Sequence, residues 1–393
     1  MAILNSVTWM AYSVMDKHLM YRREIWLFAT ASLFATVSGC AHRSGEGTVA
    51  QNDALAATSP KRDGDITIEE IRDNGLVARF YSSAERRPRT TILMLAGSGG
   101  GFPDDAAARD LAMSGYRVLG LAYVRNWQGQ PAELTRARLI DVPLEYIFTA
   151  LDWLRARREV RPDGVVIMGE SRGAELALLV GSYRQDVAGV IAFSPSELRW
   201  GAVRGGGPAW TLNGVALPYA QGRYDRSDPL REFRDVLDGP PEVRDAASIE
   251  VERIRGPVLL ISSRADQVWP SARMSNDIEQ RLREHHFPFR VENIQFEDAS
   301  HLLMGFGPGI TESRTPQFVM HFGGTQSGTE AARNAGWART KQFLANLNAA
   351  VHTSSSRKLA PLERAAEIYR QRRASTAATS SSPTPSARRA TSA

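Results

Sequence analysis

A serine flanked by glycines, Gly169-Glu170-Ser171-Arg172-Gly173, follows the apolar run Val165–Met168 and leads into Ala174–Val180, which is apolar nearly all round. Glycines at that spacing permit a sharp turn from strand to helix, and the turn lifts the serine hydroxyl clear of a sheet edge. The bland alternative is a serine capping an ordinary strand-to-helix turn. A hydroxyl is a weak nucleophile at neutral pH and requires a base within hydrogen-bond reach. Seven histidines are available. His18, His42 and His352 lie near the two ends of the chain, in segments with no helical or strand period. His285 and His286 close a helical pattern that begins after Pro270, where a cation suits the helix dipole. His301 and His321 remain. His301 follows the last strand-like run by a short loop, whereas His321 lies in a glycine-bearing loop and reads as an ordinary loop residue.

A base of this kind needs a carboxylate that fixes its tautomer and stabilises the imidazolium. Asp266 stands directly after the apolar run Val258–Ser262, where a strand would deliver it to the same edge as Ser171. The order Ser171, Asp266, His301 is that of α/β-hydrolases, not of chymotrypsin or subtilisin. Asp298 is the rival acid, but it shares a loop with His301 and reads better as a loop cap. An oxyanion needs two preorganised N–H donors. The Arg172 amide supplies one. The loop Gly97-Ser98-Gly99-Gly100-Gly101 is the source of the other, through Ser98 or Gly99, with Gly100 beside the substrate. A dinucleotide fingerprint in the same loop fails at its last place, which is Phe102. No H-E-x-x-H string or cysteine pair suggests a metal, and no cofactor is expected.

These residues require an α/β scaffold. Ile66–Ile71 and Leu76–Tyr81, joined through Asp73-Asn74-Gly75, predict an opening hairpin. Thr91–Ala96, Arg117–Tyr123, Val165–Met168, Gly189–Phe193, Val258–Ser262 and Phe289–Phe296 are mostly unalternated runs, as in a parallel sheet covered on both faces. Leu144, Ile147, Phe148, Leu151 and Leu154 form one helical stripe, and Met274, Ile278 and Leu282 another. The alternation predicts one α/β domain over 64–350, of the α/β-hydrolase fold, with a mostly parallel central sheet and helices on both faces. Leu198–Ile254 lacks a clean period and reads as a cap insertion over the sheet. Its Trp200, Trp210, Leu217, Tyr219 and Tyr224 suit the apolar wall of an acyl pocket, with Trp200 and Trp210 as the substrate-binding candidates.

The ends of the chain have a different character. Arg22 and Arg23 precede an apolar run, Ile25–Val37, and then Val37-Ser38-Gly39-Cys40. That pattern reads as a secretory signal, and its small residues before the cysteine resemble a bacterial lipobox. Residues 1–40 therefore read as a lipoprotein-type leader with Cys40 as the lipidated residue; a plain signal peptide or a short membrane anchor is the alternative. The expected place is the periplasm-facing surface of a bacterial membrane, and a cytoplasmic one if the leader does not function. Residues 41–63 read as a flexible tether, and 351–393 as a basic, Ser/Thr/Ala-rich tail that cannot order itself. A net charge of +5, from 48 basic and 43 acidic residues, is mild and concentrated at the ends, which argues against a nucleic-acid partner. The cluster Arg155, Arg157, Arg158 and Arg161 reads as the solvated end of a helix.

With these residues in place, the sequence resembles the carboxyl-terminal hydrolase domain of the acyl-CoA thioester hydrolase / bile acid-CoA:amino acid N-acyltransferase family, a dienelactone-hydrolase-like group. The matching strings are Pro143-Leu144-Glu145-Tyr146, Leu151-Asp152-Trp153-Leu154, Ser171-Arg172-Gly173-Ala174-Glu175-Leu176-Ala177-Leu178, Gly256–Ser262, Asp266-Gln267-Val268-Trp269-Pro270-Ser271 and Ala299-Ser300-His301-Leu302. The resemblance spans Ile66 to Leu347 and implies an acyl-enzyme on Ser171, completed by Asp266 and His301. It implies an acyl thioester or ester as substrate. Family enzymes commonly carry a β-sandwich domain before the hydrolase, for which 41–63 leaves no room, and coenzyme A thioesters are cytosolic whereas the leader suggests export. An exported carboxylesterase or peptidase of the same fold stands beside the thioesterase, as does acyl transfer to an amine. The non-enzymatic alternative is a lipid-anchored binding protein with a relic pocket.

Overall fold

The central sheet is built from β1 (Lys61–Asp63), β2 (Ile66–Ile71), β3 (Ala78–Ser83), β4 (Thr91–Leu95), β5 (Arg117–Leu121), β6 (Val165–Glu170), β7 (Val187–Phe193), β8 (Val258–Ser263) and β9 (Val291–Phe296). The computed structural model describes residues 61–84, 90–124, 129–134, 138–161, 164–203, 205–225, 227–315 and 318–349. The expected leader with Cys40, the tether up to residue 60 and the tail from 351 lie outside the described residues. Strand order is β1-β2-β3-β5-β4-β6-β7-β8-β9. The first three strands pair antiparallel, as do β3 and β5. Every neighbour from β5 to β9 is parallel. This is the α/β-hydrolase architecture. The register aligns Leu95 with Gly169, Glu170 with Phe193, Phe193 with Ile261, and Ser263 with Phe296, so five strands end in one row. All the loops that carry candidate chemistry leave from that row.

The α-helices among the described residues are α1 (Asp105–Met113), α2 (Leu144–Ala156), α3 (Arg172–Tyr183), α4 (Arg231–Leu237), α5 (Pro241–Ala247), α6 (Ser271–Glu284) and α7 (326–349). Alternate strand residues feed two cores. Leu93, Leu95, Val165, Ile167, Val258 and Leu260 pack with α2, α3 and α6, while Ile92, Met94, Val166, Met168, Leu259 and Ile261 pack with α1 and α7. Strands buried on both faces explain why their sequences do not alternate. The start of α1 is fixed by Asp104, whose carboxylate accepts the Ala106 and Ala107 amides.

Several boundaries differ from the sequence reading. Lys61–Asp63, assigned to the tether, pair with Ile66–Ile68 through the two-residue Gly64-Asp65 turn. The second hairpin strand begins at Ala78 and not Leu76, because Asp73–Gly75 form a 3-10 turn closed by the Leu76 amide. Arg157 is not simply solvated. It bonds Glu69 and Glu159 and lies 4.5 Å from the ring centroids of both Phe80 and Trp153. The hairpin Glu312–Thr315 with Phe318–His321 had no counterpart in the sequence reading, so His321 ends a strand and is not a loop residue.

The insertion 198–254 has a small core of its own, in which Leu198, Trp200, Ala220, Val236 and Leu237 meet Trp269 and Met274 of the main body. Its attachment is electrostatic as well as apolar. Glu175, buried inside α3, accepts the Trp200 amide at 3.1 Å and the Trp210 indole N–H at 2.5 Å. Its other oxygen is 3.0 Å from the Arg172 guanidinium, which donates to the Trp200 and Gly201 carbonyls. Removing one partner of such a pair leaves a buried charge uncompensated. Glu175→Ala should therefore destabilise the protein by about 3–5 kcal/mol, read as a lower urea midpoint. An unchanged midpoint would mean that the insertion is held by apolar packing alone.

Candidate active site

Ser171 leaves β6 with φ 58 and ψ −124, outside the regions that residues with a Cβ normally occupy. Such a conformation costs of order 1–3 kcal/mol and persists only where its surroundings impose it. Here the surroundings are glycines. A Cβ on Gly169 would stand 2.1 Å from the Gly173 carbonyl oxygen, and one on Gly173 would stand 2.2 Å from that of Ala96. The Ser171 amide donates to the Phe193 carbonyl at 2.9 Å, tying the turn to the neighbouring strand. Although Ser171 occupies the cap position of α3, its side chain makes no capping hydrogen bond. The residue is partly exposed.

Asp266 and His301 meet. His301 Nδ1 lies 2.8 Å from Asp266 Oδ2, and both side chains are buried. The second Asp266 oxygen accepts the amides of Val268 and Trp269, so the carboxylate cannot swing away. Burial acts to lower the His301 pKa. The Asp266 carboxylate in contact with it, and Glu170 beyond, outweigh that and hold it above the ordinary histidine value. An imidazole fixed this way at Nδ1 is free to take a proton at Nε2.

The loop around His301 is bonded at nearly every residue. Ser263 Oγ donates to the Ala299 carbonyl, Thr329 Oγ accepts the Ser300 amide, and Ser194 Oγ donates to the His301 carbonyl. The Phe322 carbonyl accepts the amides of both His301 and Gln267, so one backbone segment spans the histidine and aspartate loops. Gly323, at φ 88, makes that passage possible. A Cβ there would stand 1.9 Å from the Ala265 carbonyl oxygen. Trp269 closes the far side, its ring 5.8 Å from the imidazole and its indole N–H donating to the Ser194 carbonyl.

The other candidates occupy varied places. The Gly97 backbone lies against Ser171, where a Cβ would be 3.9 Å from Oγ. Ser98 is exposed and Gly99 partly so, while the Tyr123 hydroxyl reaches the Ala96 and Gly97 carbonyls from inside. Gly100 is buried against Val124. Trp200 and Trp210, expected on a pocket wall, are buried in the attachment of the cap, whereas Tyr219 and Tyr224 are exposed. Asp298 accepts the Thr325 hydroxyl at 2.6 Å, and His321 lies 3.8 Å from Glu312. Neither meets His301. Among the described residues no group of three or more His, Cys, Asp or Glu side chains could hold a metal ion, and no helix is long and apolar enough to cross a membrane. Glu170, Ser194 and Trp269 were not singled out from sequence. Only their places beside Ser171, after β7 and after Asp266 could have marked them.

Human acyl-coenzyme A thioesterase 1 is 28% identical over 222 residues, covering 55% of this chain and 50% of that protein. Human mitochondrial acyl-coenzyme A thioesterase 2 is 28% identical over 222 residues, covering 55% and 43%. The chain thus spans about half the length of the curated relatives it matches. Among solved structures, a dienelactone hydrolase-like promiscuous phosphotriesterase from metagenomic libraries superposes with a TM-score of 0.45 at 14% identity, covering 72% of this chain and 99% of that one. Residues 142–349, more than half of the chain, match the family described as BAAT / Acyl-CoA thioester hydrolase C terminal, and the chain belongs to that family.

Proposed function

We propose that this protein hydrolyses acyl thioesters or esters through a covalent acyl-enzyme on Ser171, with His301 as base and Asp266 as the carboxylate that orients it. The observation that carries the reading is the buried 2.8 Å contact between His301 Nδ1 and Asp266 Oδ2. Family membership, and relatives named as acyl-coenzyme A thioesterases, support a thioester as the substrate class.

Ser171 Oγ attacks the acyl carbonyl carbon as its proton passes to His301 Nε2. The oxyanion that forms accepts from the Arg172 amide, at the open N-terminus of α3, and from an amide of the Ser98–Gly99 stretch. Collapse breaks the bond to the leaving sulfur or oxygen, which departs with the proton from His301. Water then gives a proton to His301 and attacks the acyl ester, and Ser171 regains its proton as the acid leaves. Asp266 stays ionised throughout. A serine acyl-enzyme is an oxygen ester and less reactive toward amines than a thioester, so water is the acceptor.

A fluorophosphonate probe should label Ser171, and Ser171→Ala should lower turnover about a millionfold. Parallel assays on acyl-CoA, p-nitrophenyl ester and peptide substrates identify the leaving group. Turnover of the peptide alone would replace the ester reading with a peptidase, and full activity in Ser171→Ala would remove the mechanism.

The base must be neutral to accept the Ser171 proton, and its pKa is raised above 6.5. Consequently kcat/KM should fall as pH drops through a value above 6.5, the ordinary histidine figure. Asp266→Asn should move that limb to lower pH and reduce kcat about ten-thousandfold. A limb unmoved by this substitution would separate His301 from the reaction.

We also propose that Cys40 is the lipidated first residue of the mature chain, tethering the domain to a membrane surface. Mass spectrometry of membrane-extracted protein should find a diacylglyceryl cysteine at its amino terminus, absent in Cys40→Ala. An intact leader on the extracted protein would exclude the anchor.

A further inference from the structure

Glu170 ends β6 immediately before Ser171 and turns its carboxylate toward the loop leaving His301. Its Oε1 accepts the amides of Leu303 and Met304, each at 2.7 Å. The same loop is also held by Arg333 of α7. That guanidinium donates to the Leu302 carbonyl at 3.4 Å and the Phe306 carbonyl at 3.0 Å. It also lies 3.8 Å from Asp104, the cap of α1. One charged chain thus links the nucleophile turn, the histidine loop, α7 and the first residues after the glycine loop. The acyl-transfer steps above use neither Glu170 nor Arg333.

We propose that Glu170 and Arg333 are positioning residues for His301: they clamp the segment Leu302–Phe306 through its amides and its carbonyls, and the Glu170 carboxylate supports the protonated imidazole. The functional half of this inference rests on His301 being the base. The clamp itself is geometric. Amides converge on Glu170 and carbonyls on Arg333, so the segment is gripped through both kinds of backbone group, and each grip has the charge that strengthens it.

The charges facing one another can be followed outward. Asp266 and Glu170 face His301, His301 and Arg333 face Glu170, and Asp104 faces Arg333. Burial raises the Glu170 carboxyl above the usual glutamate range, while the two amides, His301 and Arg333 act to keep it ionised. When His301 takes the Ser171 proton, two carboxylates favour the cation, Asp266 touching Nδ1 and Glu170 acting through space.

Glu170→Gln separates the two roles, because the amide oxygen still accepts from Leu303 and Met304 while the charge is gone. Histidine ring NMR titration of the full chain, with His301→Gln to assign the signal, should show the His301 pKa lowered by about half a unit or more. Hydrogen-exchange mass spectrometry of peptides spanning 301–306 should show protection like that of the unaltered protein. In Glu170→Ala the pKa should fall similarly, and exchange in those peptides should rise about tenfold or more. Should that variant not fold, Arg333→Met tests the clamp through its carbonyl contacts and should raise exchange in the same peptides. Neither readout requires turnover, so a protein inactive on every ester would overturn the proposed reaction and leave this measurement standing. A His301 pKa unchanged in Glu170→Gln would overturn the electrostatic role. Exchange unchanged in Glu170→Ala, or in Arg333→Met, would overturn the clamp.

Discussion

The contact between Asp266 and His301 is the constraint around which the carboxyl edge of the sheet is arranged. An imidazole ring on a short loop has little reason to hold one orientation, and a buried carboxylate is costly unless its oxygens are satisfied. Each solves the other's problem. Asp266 spends one oxygen on the ring and the other on the amides of Val268 and Trp269. The histidine loop is then fixed by bonds arriving from Ser194 after β7, from β8, from α7 and from the Phe322 backbone. Preorganisation of this kind lets charge develop without the surroundings having to rearrange.

The cap obeys a second constraint, and it originates one turn away. α3 is buried nearly all round, yet it carries Arg172 and Glu175. These two form an ion pair, and both also bond the insertion, Arg172 through the Trp200 and Gly201 carbonyls and Glu175 through the Trp200 amide and the Trp210 indole. The insertion therefore reads its position from the same helix that Ser171 begins. An apolar helix in that place would have packed the sheet as well but would have left the cap without a directional anchor. From there an aromatic series runs inward, Trp200 to Phe233 at 4.8 Å, Phe233 to Trp269 at 5.9 Å, and Trp269 to His301 at 5.8 Å. Through it the cap packs on Trp269, whose ring lies beside the imidazole.

The strands of the parallel sheet were legible in the sequence because burial on both faces leaves continuous apolar runs, and Val165–Met168 or Val258–Ser262 admit few other readings. The chain order of Ser171, Asp266 and His301 followed from where those runs end. What escaped was set by tertiary context. Lys61–Asp63 are too polar and short to declare a strand, and become one only because β2 offers an edge. Trp200 and Trp210 read as pocket wall because broken periodicity hides their partner, a glutamate inside an apolar helix 25 and 35 residues away. Gly323 and Gly324 suggested merely a loop at His321, whereas the structure shows a segment squeezed between the aspartate and histidine turns. No local pattern announces a backbone that must pass between two others.

The two side chains between the glycines and the serine of the serine turn are Glu170 and Arg172. In a G-x-S-x-G string the glycines and serine are constrained by backbone geometry, leaving the two intervening side chains to the demands of their surroundings. Here both are charged, and they face opposite neighbours. Glu170, the last residue of β6, reaches the amides behind His301, and Arg172, the first residue of α3, reaches the carbonyls of the cap. The turn reverses the direction of the chain between them, so residues two apart serve different loops. A strained serine persists only where its surroundings over-determine it, and these two anchors add to what the glycines supply. The turn that holds Ser171 is thereby also the point to which the histidine loop and the cap are both fastened.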